Sequence, residues 1–489
     1  MSFTLTIIYD DRMPLPPDIS EIIGAARYSN ILCRRQSLGE TVRKTVTHGG
    51  GLDFFHLVDD RDAHFLIDLI ETSPANRLFL RLPSCMMSTR PDSLTAFIAQ
   101  ANYALGSILL MAPEDGEAAA LLLAADVLPL LRARNSTTIR ELLLRLAQSV
   151  PVMENPCGFA DLRRPALFLE YMGNATETRS FNATRIERHI VRKSSTDRTK
   201  MEAEYRFFHV VPEALKPFLV PTFDFTDDGV RAGYAMERLA IPDAAVQLIH
   251  NAFDERSFAA LLERFFDFIA ARPGRPDGVK TVRETARQVI LGKMQQRLAR
   301  FLDTEVGRRL DALLLAAGPC GGLAEMGRRA GSLIEMAILR DGSSQLVIGH
   351  GDACFSNILF DRRIELIRLI DPRGARSLDE AWLHPLYDLA KFSHSVLGGY
   401  DFVNNDLFDC LLTADLRLKL SLQDDGPPAW AQALFLQKLE QGDILLFIVR
   451  AYELSLFLSM LPLHMDHPRK LVGFSLIAAS LIHKLEEQR

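Results

Sequence analysis

The chain has 489 residues, 48% of them hydrophobic and 24% charged, with a formal net charge of -6. That length exceeds what one hydrophobic core ordinarily serves, so two or three domains are expected. Both charge signs are interspersed and no basic stripe with aromatics occurs, which argues against a nucleic-acid partner and for an ordinary globular protein. The six cysteines form no Cys-x-x-Cys pair, so neither a zinc site nor a disulfide framework is expected, and a reducing compartment, the cytoplasm, fits.

In chain order, Phe3 to Tyr9 reads as a first strand, and Met1 to Asp10 lacks the basic start and long apolar run of a signal peptide. Strand patterns recur at Arg77 to Leu82 and Ser107 to Met111. Helical patterns lie between and after them, the clearest being Gly116 to Arg134. Residues 1–150 are therefore expected to form an α/β domain. The run Gly49-Gly50-Gly51 lacks the spacing of a dinucleotide or phosphate-binding fingerprint and reads as a turn. The glycine-rich, basic opening loop of a sugar nucleotidyltransferase is missing too. The role of this domain stays open between acceptor binding, partner binding and a degenerate nucleotidyltransferase-like shell.

Pro151, Pro156, Gly158 and Pro165 punctuate the next stretch, which reads as a linker. Three strand-like runs follow: Ala166 to Tyr171, Asn182 to Arg188 and His189 to Lys193. Between the first two lies the polar loop from Gly173 to Ser180. Its small residues suit a loop whose backbone amides approach a phosphate, which makes Gly173 a candidate. Lys193 ends an apolar strand, and the helical stretch Thr199 to Val211 carries Glu202 and Glu204. A lysine that must reach nucleotide phosphates needs a carboxylate to hold its flexible stem, and Glu204 is preferred to Glu202 for that task. Strands at Thr222 to Thr226 and Gly233 to Leu239, flanking the turn Asp227-Asp228-Gly229, close a mostly-β region over 165–240. Helical patterns then dominate 241–489, beginning with Phe258 to Ala271 and Val282 to Leu302. The most apolar run, Ile444 to Leu463, carries Arg450 and Glu453 at its middle, so it is expected to be a buried helix rather than a membrane span.

The richest stretch is Gly349-His350-Gly351-Asp352-Ala353-Cys354-Phe355-Ser356-Asn357, followed by Leu369-Ile370-Asp371-Pro372-Arg373-Gly374. Phosphoryl transfer needs one carboxylate to accept the proton of the attacking hydroxyl, and an amide plus a second carboxylate to hold magnesium against the phosphates. Asp352, Asn357 and Asp371 fit those tasks in chain order. Apolar residues on either side of Asp361-Arg362-Arg363 predict a hairpin that brings Asn357 and Asp371 to one end.

These residues resemble the catalytic and metal-binding loops of the aminoglycoside phosphotransferase and choline kinase family, relatives of protein kinases, over residues 165 to about 485. The resemblance implies a bilobal protein-kinase-like fold after the α/β domain, with a small mostly-β lobe and a large helical one. It implies Asp352 as catalytic base, His350 as a brace of the loop, and Asn357 and Asp371 as magnesium ligands. Lys193 and Glu204 resemble the family's phosphate-holding pair. Tyr234 to Leu239 resembles the connector whose backbone meets the adenine edge, which nominates Met236, Glu237 and Leu239. The form Asp371-Pro372-Arg373-Gly374, with Tyr387-Asp388-Leu389-Ala390-Lys391 downstream, is similar to a branch found among bacterial surface-polysaccharide genes. The implied reaction moves the γ-phosphoryl group of ATP, or alternatively GTP, to a hydroxyl of a small molecule or glycan precursor such as a sugar or amino alcohol.

Two other classes compete. One is a nucleotide-binding pseudokinase or scaffold. The other is a metal-dependent hydrolase using His350, Asp352, His384, Asp388 and His394, which would leave Asn357 and Lys193 without a task. Cys354 has no adjacent base and reads as a packing residue.

Overall fold

Thr4–Asp10 forms a strand (β1) buried from Leu5 onward, as a nearly continuous apolar run inside a parallel sheet should be. In this computed structural model all residues are described except 1–3, 25–26, 34–35, 49–52, 73–76, 114–115, 174–181, 188–189 and 489. The glycine run 49–51 thus lies outside the described residues. The chain divides into two compact units, Met1–Glu177 and Thr178–Arg489.

In the first unit β1 lies between β2 (Asp53–Leu57) and β3 (Arg77–Pro83), parallel to both. Beyond β3 come β4 (Ile108–Leu109) and β5 (Ala120–Leu123) in the sheet order β2-β1-β3-β5-β4, with β5 antiparallel to both neighbours. Ile8, Leu57, Phe79, Leu122, Val127 and Ile139 share one core. The helix expected over Gly116 to Arg134 is confined to α1 (Ala124–Arg132), because the buried apolar residues before it pair with β3 as a strand. Periodicity alone does not separate a short buried strand from a buried helix.

The stretch expected as a linker is part of this unit. Phe159–Asp161 pairs with Met86–Ser88, Met153 N donates to Leu109 O at 2.8 Å, and Leu162 N donates to Cys85 O at 2.9 Å. The strand expected at Ala166 to Tyr171 is a helix, α2 (Pro165–Gly173). Proline suits the first turn of a helix, where its missing N–H is not needed, and Ala, Leu, Glu and Met are good helix formers.

Charged side chains are buried in the first unit. Asp10 is held by Arg81 Nε at 3.0 Å and Arg12 Nε at 2.8 Å, and Arg81 also reaches Glu117 at 2.9 Å. Burial pushes the Asp10 carboxyl up, but Arg81 and Arg12 outweigh this and hold it at about 2. A carboxyl depressed in the folded state stabilises above its ordinary pKa, and that contribution fades as pH falls toward the folded value. Asp10→Asn should therefore lower the melting temperature at neutral pH, and its gap from the wild type should narrow between about pH 4 and pH 2. A gap that stays constant across stepwise pH melts would remove Asp10 from this role.

The second unit opens with an antiparallel sheet in the order β6-β7-β9-β8, made of β6 (Asn182–Glu187), β7 (Ile190–Ser195), β8 (Thr222–Asp227) and β9 (Ala232–Glu237). Helix α3 (Arg198–Val210) packs on it: Thr222 Oγ1 donates to Tyr205 O at 2.8 Å, and Met201 shares a core with Ala232, Tyr234 and Met236. The rest is mostly helical. The hairpin β10 (Ile358–Asp361) and β11 (Leu366–Leu369) has the expected pairing, Ile358 opposite Leu369. Helix α4 (Tyr387–Val396) follows, and α5 (Leu446–Ser459) is buried along most of its length. Buried Glu453 is met there by Arg450 at 2.8 Å and by the Ser393 hydroxyl. Among the described residues no helix is long and apolar enough to cross a membrane.

Candidate active site

Strand β7 and helix α3 bring Lys193 and Glu204 together. Lys193 Nζ lies 2.9 Å from Glu204 Oε2 and 2.8 Å from Asp371 Oδ1, so one ammonium joins the sheet region to the segment after the hairpin. Glu204 is buried, and its Oε2 also accepts from the Tyr234 hydroxyl at 2.9 Å. Burial alone would lower the Lys193 pKa; Asp371, with Tyr234 and Glu204, overcomes this and raises it, so the group stays charged. Glu202 points elsewhere and pairs with Arg206 at 2.8 Å, which decides between the two glutamates.

The hairpin register does what its sequence predicts. Ile370 N donates to Asn357 O at 3.0 Å, so Asn357 and Asp371 sit at one end. Asn357 Nδ2 donates to Asp352 O at 2.9 Å, which leaves Oδ1 as an oxygen donor. Asp371 takes a left-handed backbone (φ 57°), a conformation aspartate tolerates better than most residues. Gly374 (φ +86°) is required where it stands: a Cβ there would lie 2.6 Å from Ala203 C and Glu204 N, and Ala375 N donates to Ala203 O at 3.0 Å. The segment after Asp371 is thereby strapped to the helix that carries Glu204.

The loop bearing Asp352 is braced mainly from below. Buried Asp388, on α4, accepts from His350 N at 3.0 Å and Gly351 N at 2.7 Å, and pairs with buried Arg272 at 3.2 Å. The His350 side chain plays a lesser part, its Nδ1 accepting from Asp352 N at 3.3 Å. Burial depresses the His350 pKa against the pull of Asp388, Asp352 and Asp371, so the ring is neutral. Asp352 Oδ1 meets Lys391 Nζ at 2.7 Å. Burial would raise the Asp352 carboxyl, but Lys391 more than offsets it and holds the group below the usual carboxylate range, with the Lys293 charge adding to the effect. Asp352 is therefore an ionised, proton-accepting carboxylate at neutral pH. Cys354 is its opposite: burial first, then the Asp352 charge, push the thiol up to about 12, so it is no nucleophile.

Met236, next to last in β9, is buried and pairs with Val191, and Glu237 at its end pairs with Ile190. Leu239 lies with Val191, Leu359 and Ile370 as partly buried apolar residues against the Met201 and Met236 core. Gly173 ends helix α2 in the first unit, and Asn174 to Ser180 of its expected loop lie outside the described residues. The histidines of the hydrolase alternative diverge. His384 pairs with Asp341 at 2.9 Å, His394 packs between Tyr400 and Phe457, and Asp388 is committed to Arg272. No group of three or more His, Cys, Asp or Glu suited to a metal occurs among the described residues. Sequence reasoning missed Arg272 as the partner of Asp388 and Lys391 as the partner of Asp352. The second had a faint signal, since Asp388 and Lys391 share a helix face at i, i+3.

No protein-family model and no curated protein matches the sequence. Among solved structures, the chain is similar to a thermostable mutant of aminoglycoside phosphotransferase APH(4)-Ia at 11% identity, covering 64% of this chain and 93% of that one, with a TM-score of 0.38. It is similar to an aminoglycoside-3'-phosphotransferase of type VIII at 15% identity, covering 54% and 83%, with a TM-score of 0.32. It is also similar to Plasmodium vivax ethanolamine kinase at 10% identity, covering 72% and 94%, with a TM-score of 0.35.

Proposed function

We propose that this chain is an ATP-dependent phosphotransferase with a kinase-like, bilobal second unit, acting on a hydroxyl of a small molecule or glycan precursor in the cytoplasm. The observation that carries the reading is the Lys193 ammonium shared by Glu204 and Asp371, with Asp352 and Asn357 on the adjoining loop. Lys193 would hold the nucleotide phosphates, with Glu204 and Tyr234 fixing its stem. Val191, Leu239, Leu359 and Ile370 offer apolar surface for a flat base beside Met236 and Glu237.

Asn357 Oδ1 and the Asp371 carboxylate suit magnesium, a hard cation that takes few protein oxygens and completes its shell with phosphate and water. When bound there it would neutralise charge on the phosphates. The acceptor oxygen forms its bond to the γ-phosphorus as the bond to the bridging oxygen of ADP breaks, and the hydroxyl proton passes to Asp352. Sugars and amino alcohols are the proposed acceptors, with surface-polysaccharide building blocks favoured by the Asp371-Pro372-Arg373-Gly374 form. For the first unit we propose acceptor binding, partner binding or a degenerate nucleotidyltransferase-like shell.

Asp371→Ala removes both a magnesium oxygen and the second partner of Lys193. Nucleotide titrations at rising magnesium should show weaker binding, or a magnesium requirement raised about tenfold or more. Unchanged nucleotide affinity at low magnesium would sink the metal assignment.

A further inference from the structure

One cation contacts the Asp352 carboxylate, a second lies along its loop, and a third acts on it through its charge. Lys391 pairs with Asp352 Oδ1 at 2.7 Å. Arg373 lies along the loop beside it: a Cβ on Gly351 would stand 2.7 Å from Arg373 Cβ and 3.3 Å from its Cδ, and Arg373 N donates to His350 O at 2.9 Å. Lys293 is the third, its charge acting on Asp352 and on the buried Tyr387 hydroxyl. Its position follows from the helix before it. Arg287–Gly292 is a π-helical segment, a distortion often found at functional sites, and Lys293 is the first residue after it. Ile290 and Met294, flanking Lys293, share a core with Tyr387 and Ala390 of α4, the helix that presents Lys391.

The charges do not balance. Asp352 is taken by Lys391, and neither Lys293 nor Arg373 has an ion-pair partner among the described residues. Burial holds the Lys293 ammonium below its ordinary pKa and Tyr387 partly opposes this, while Arg373, Lys391 and Arg297 push it further down. Like charges held together in a partly desolvated place repel, and a bound anion relieves the repulsion. The nucleotide phosphates have their own cation in Lys193 on Asp371, whereas the strongest charges on Lys293 come from the Asp352 neighbourhood. The surplus therefore lies where the acceptor must present its hydroxyl.

We propose that the acceptor carries an anionic group, a phosphate or a carboxylate, close to the hydroxyl that is phosphorylated, and that Lys293, with Arg373 and Lys391, recognises it. This rests on the phosphotransferase reading and narrows its substrate class to acidic or already phosphorylated alcohols, against cationic amino alcohols. Lys293 is the specificity-determining residue, reading the charge of the acceptor while Asp352 takes its proton.

The test is calorimetric binding to the full chain with AMP-PNP and magnesium present. Glucose 6-phosphate and galacturonate are compared with glucose, galactose and choline. The anionic sugars should bind about tenfold or more tighter than their neutral counterparts, the scale of one charge-assisted contact. Lys293→Gln and Lys293→Met should each erase that preference while AMP-PNP affinity holds, and Arg373→Gln should reduce it. Anionic sugars that bind no tighter than neutral ones, or choline binding best, overturns the proposal. So do Lys293 variants that weaken AMP-PNP instead. The wild-type comparison needs no variant, so a misfolded substitution leaves the answer intact. Failure of the unsubstituted chain to bind AMP-PNP with magnesium would instead remove the phosphotransferase reading itself.

Discussion

Asp352→Asn should reduce turnover by a factor of about 10² or more, the scale of positioned general-base catalysis, and leave nucleotide affinity nearly unchanged. The asparagine keeps the shape of the side chain and removes its proton affinity. The Lys391 contact makes the expectation sharper. In the wild type that ammonium, 2.7 Å from Oδ1, keeps the carboxylate ionised, so the base is ready at neutral pH without adjustment. In the variant Lys391 loses its one carboxylate, and an acceptor meets a site with more positive charge and no proton acceptor. The effect should therefore fall on the maximal rate rather than on the nucleotide term. Single-turnover measurements with saturating ATP separate the two. Turnover within a few-fold of wild type, on an acceptor the wild type uses, would exclude Asp352 as the base.

The second large effect belongs to Asp388. Its carboxylate is buried, accepts from two backbone amides of the loop bearing Asp352 and faces the buried Arg272 guanidinium at 3.2 Å. Removing one partner of a buried pair leaves the other charge uncompensated, which costs about 3–5 kcal/mol. Asp388→Ala should destabilise the fold by about that amount and loosen the loop as well, because His350 N and Gly351 N lose their acceptor. The companion change, Arg272→Met with Asp388→Ala, should be less damaging than the two losses added, since it removes the stranded cation. Urea denaturation of both variants gives the answer. A loss below about 1 kcal/mol for Asp388→Ala would place this pair among ordinary surface contacts.

What was legible in the sequence followed the distance over which its physics acts. Asn357 and Asp371 are joined by one short hairpin whose alternating pattern sets the register, so their meeting could be read directly. Lys193 and Glu204 lie on a strand and the helix after it, and a buried carboxylate facing a strand lysine is again nearly local. The segment Ala166 to Tyr171 misled because short apolar runs suit strand and helix alike. The stretch 151–165 misled because proline and glycine mark turns inside a domain as readily as links between domains. Arg272 lies 116 positions from Asp388, and no local pattern announces a pairing at that range. The buried Asp10, Arg81 and Glu117 of the first unit are likewise brought together only by the sheet.

Gly374 has a consequence for control. Protein kinases can be silenced by moving a glutamate-bearing helix away from the phosphate-holding lysine. Here the backbone of α3 at Ala203 is tied to Ala375, with no room for a side chain at position 374 between them. Helix α3 and the segment after Asp371 are joined at this point, so a signal that rotated the helix would carry Asp371 along with it. On the proposed function, such an enzyme would keep Lys193, Glu204 and Asp371 assembled. Its output would be set by how much acceptor and nucleotide arrive and by how much protein is made, and a designer seeking an off switch would begin by lengthening that strap.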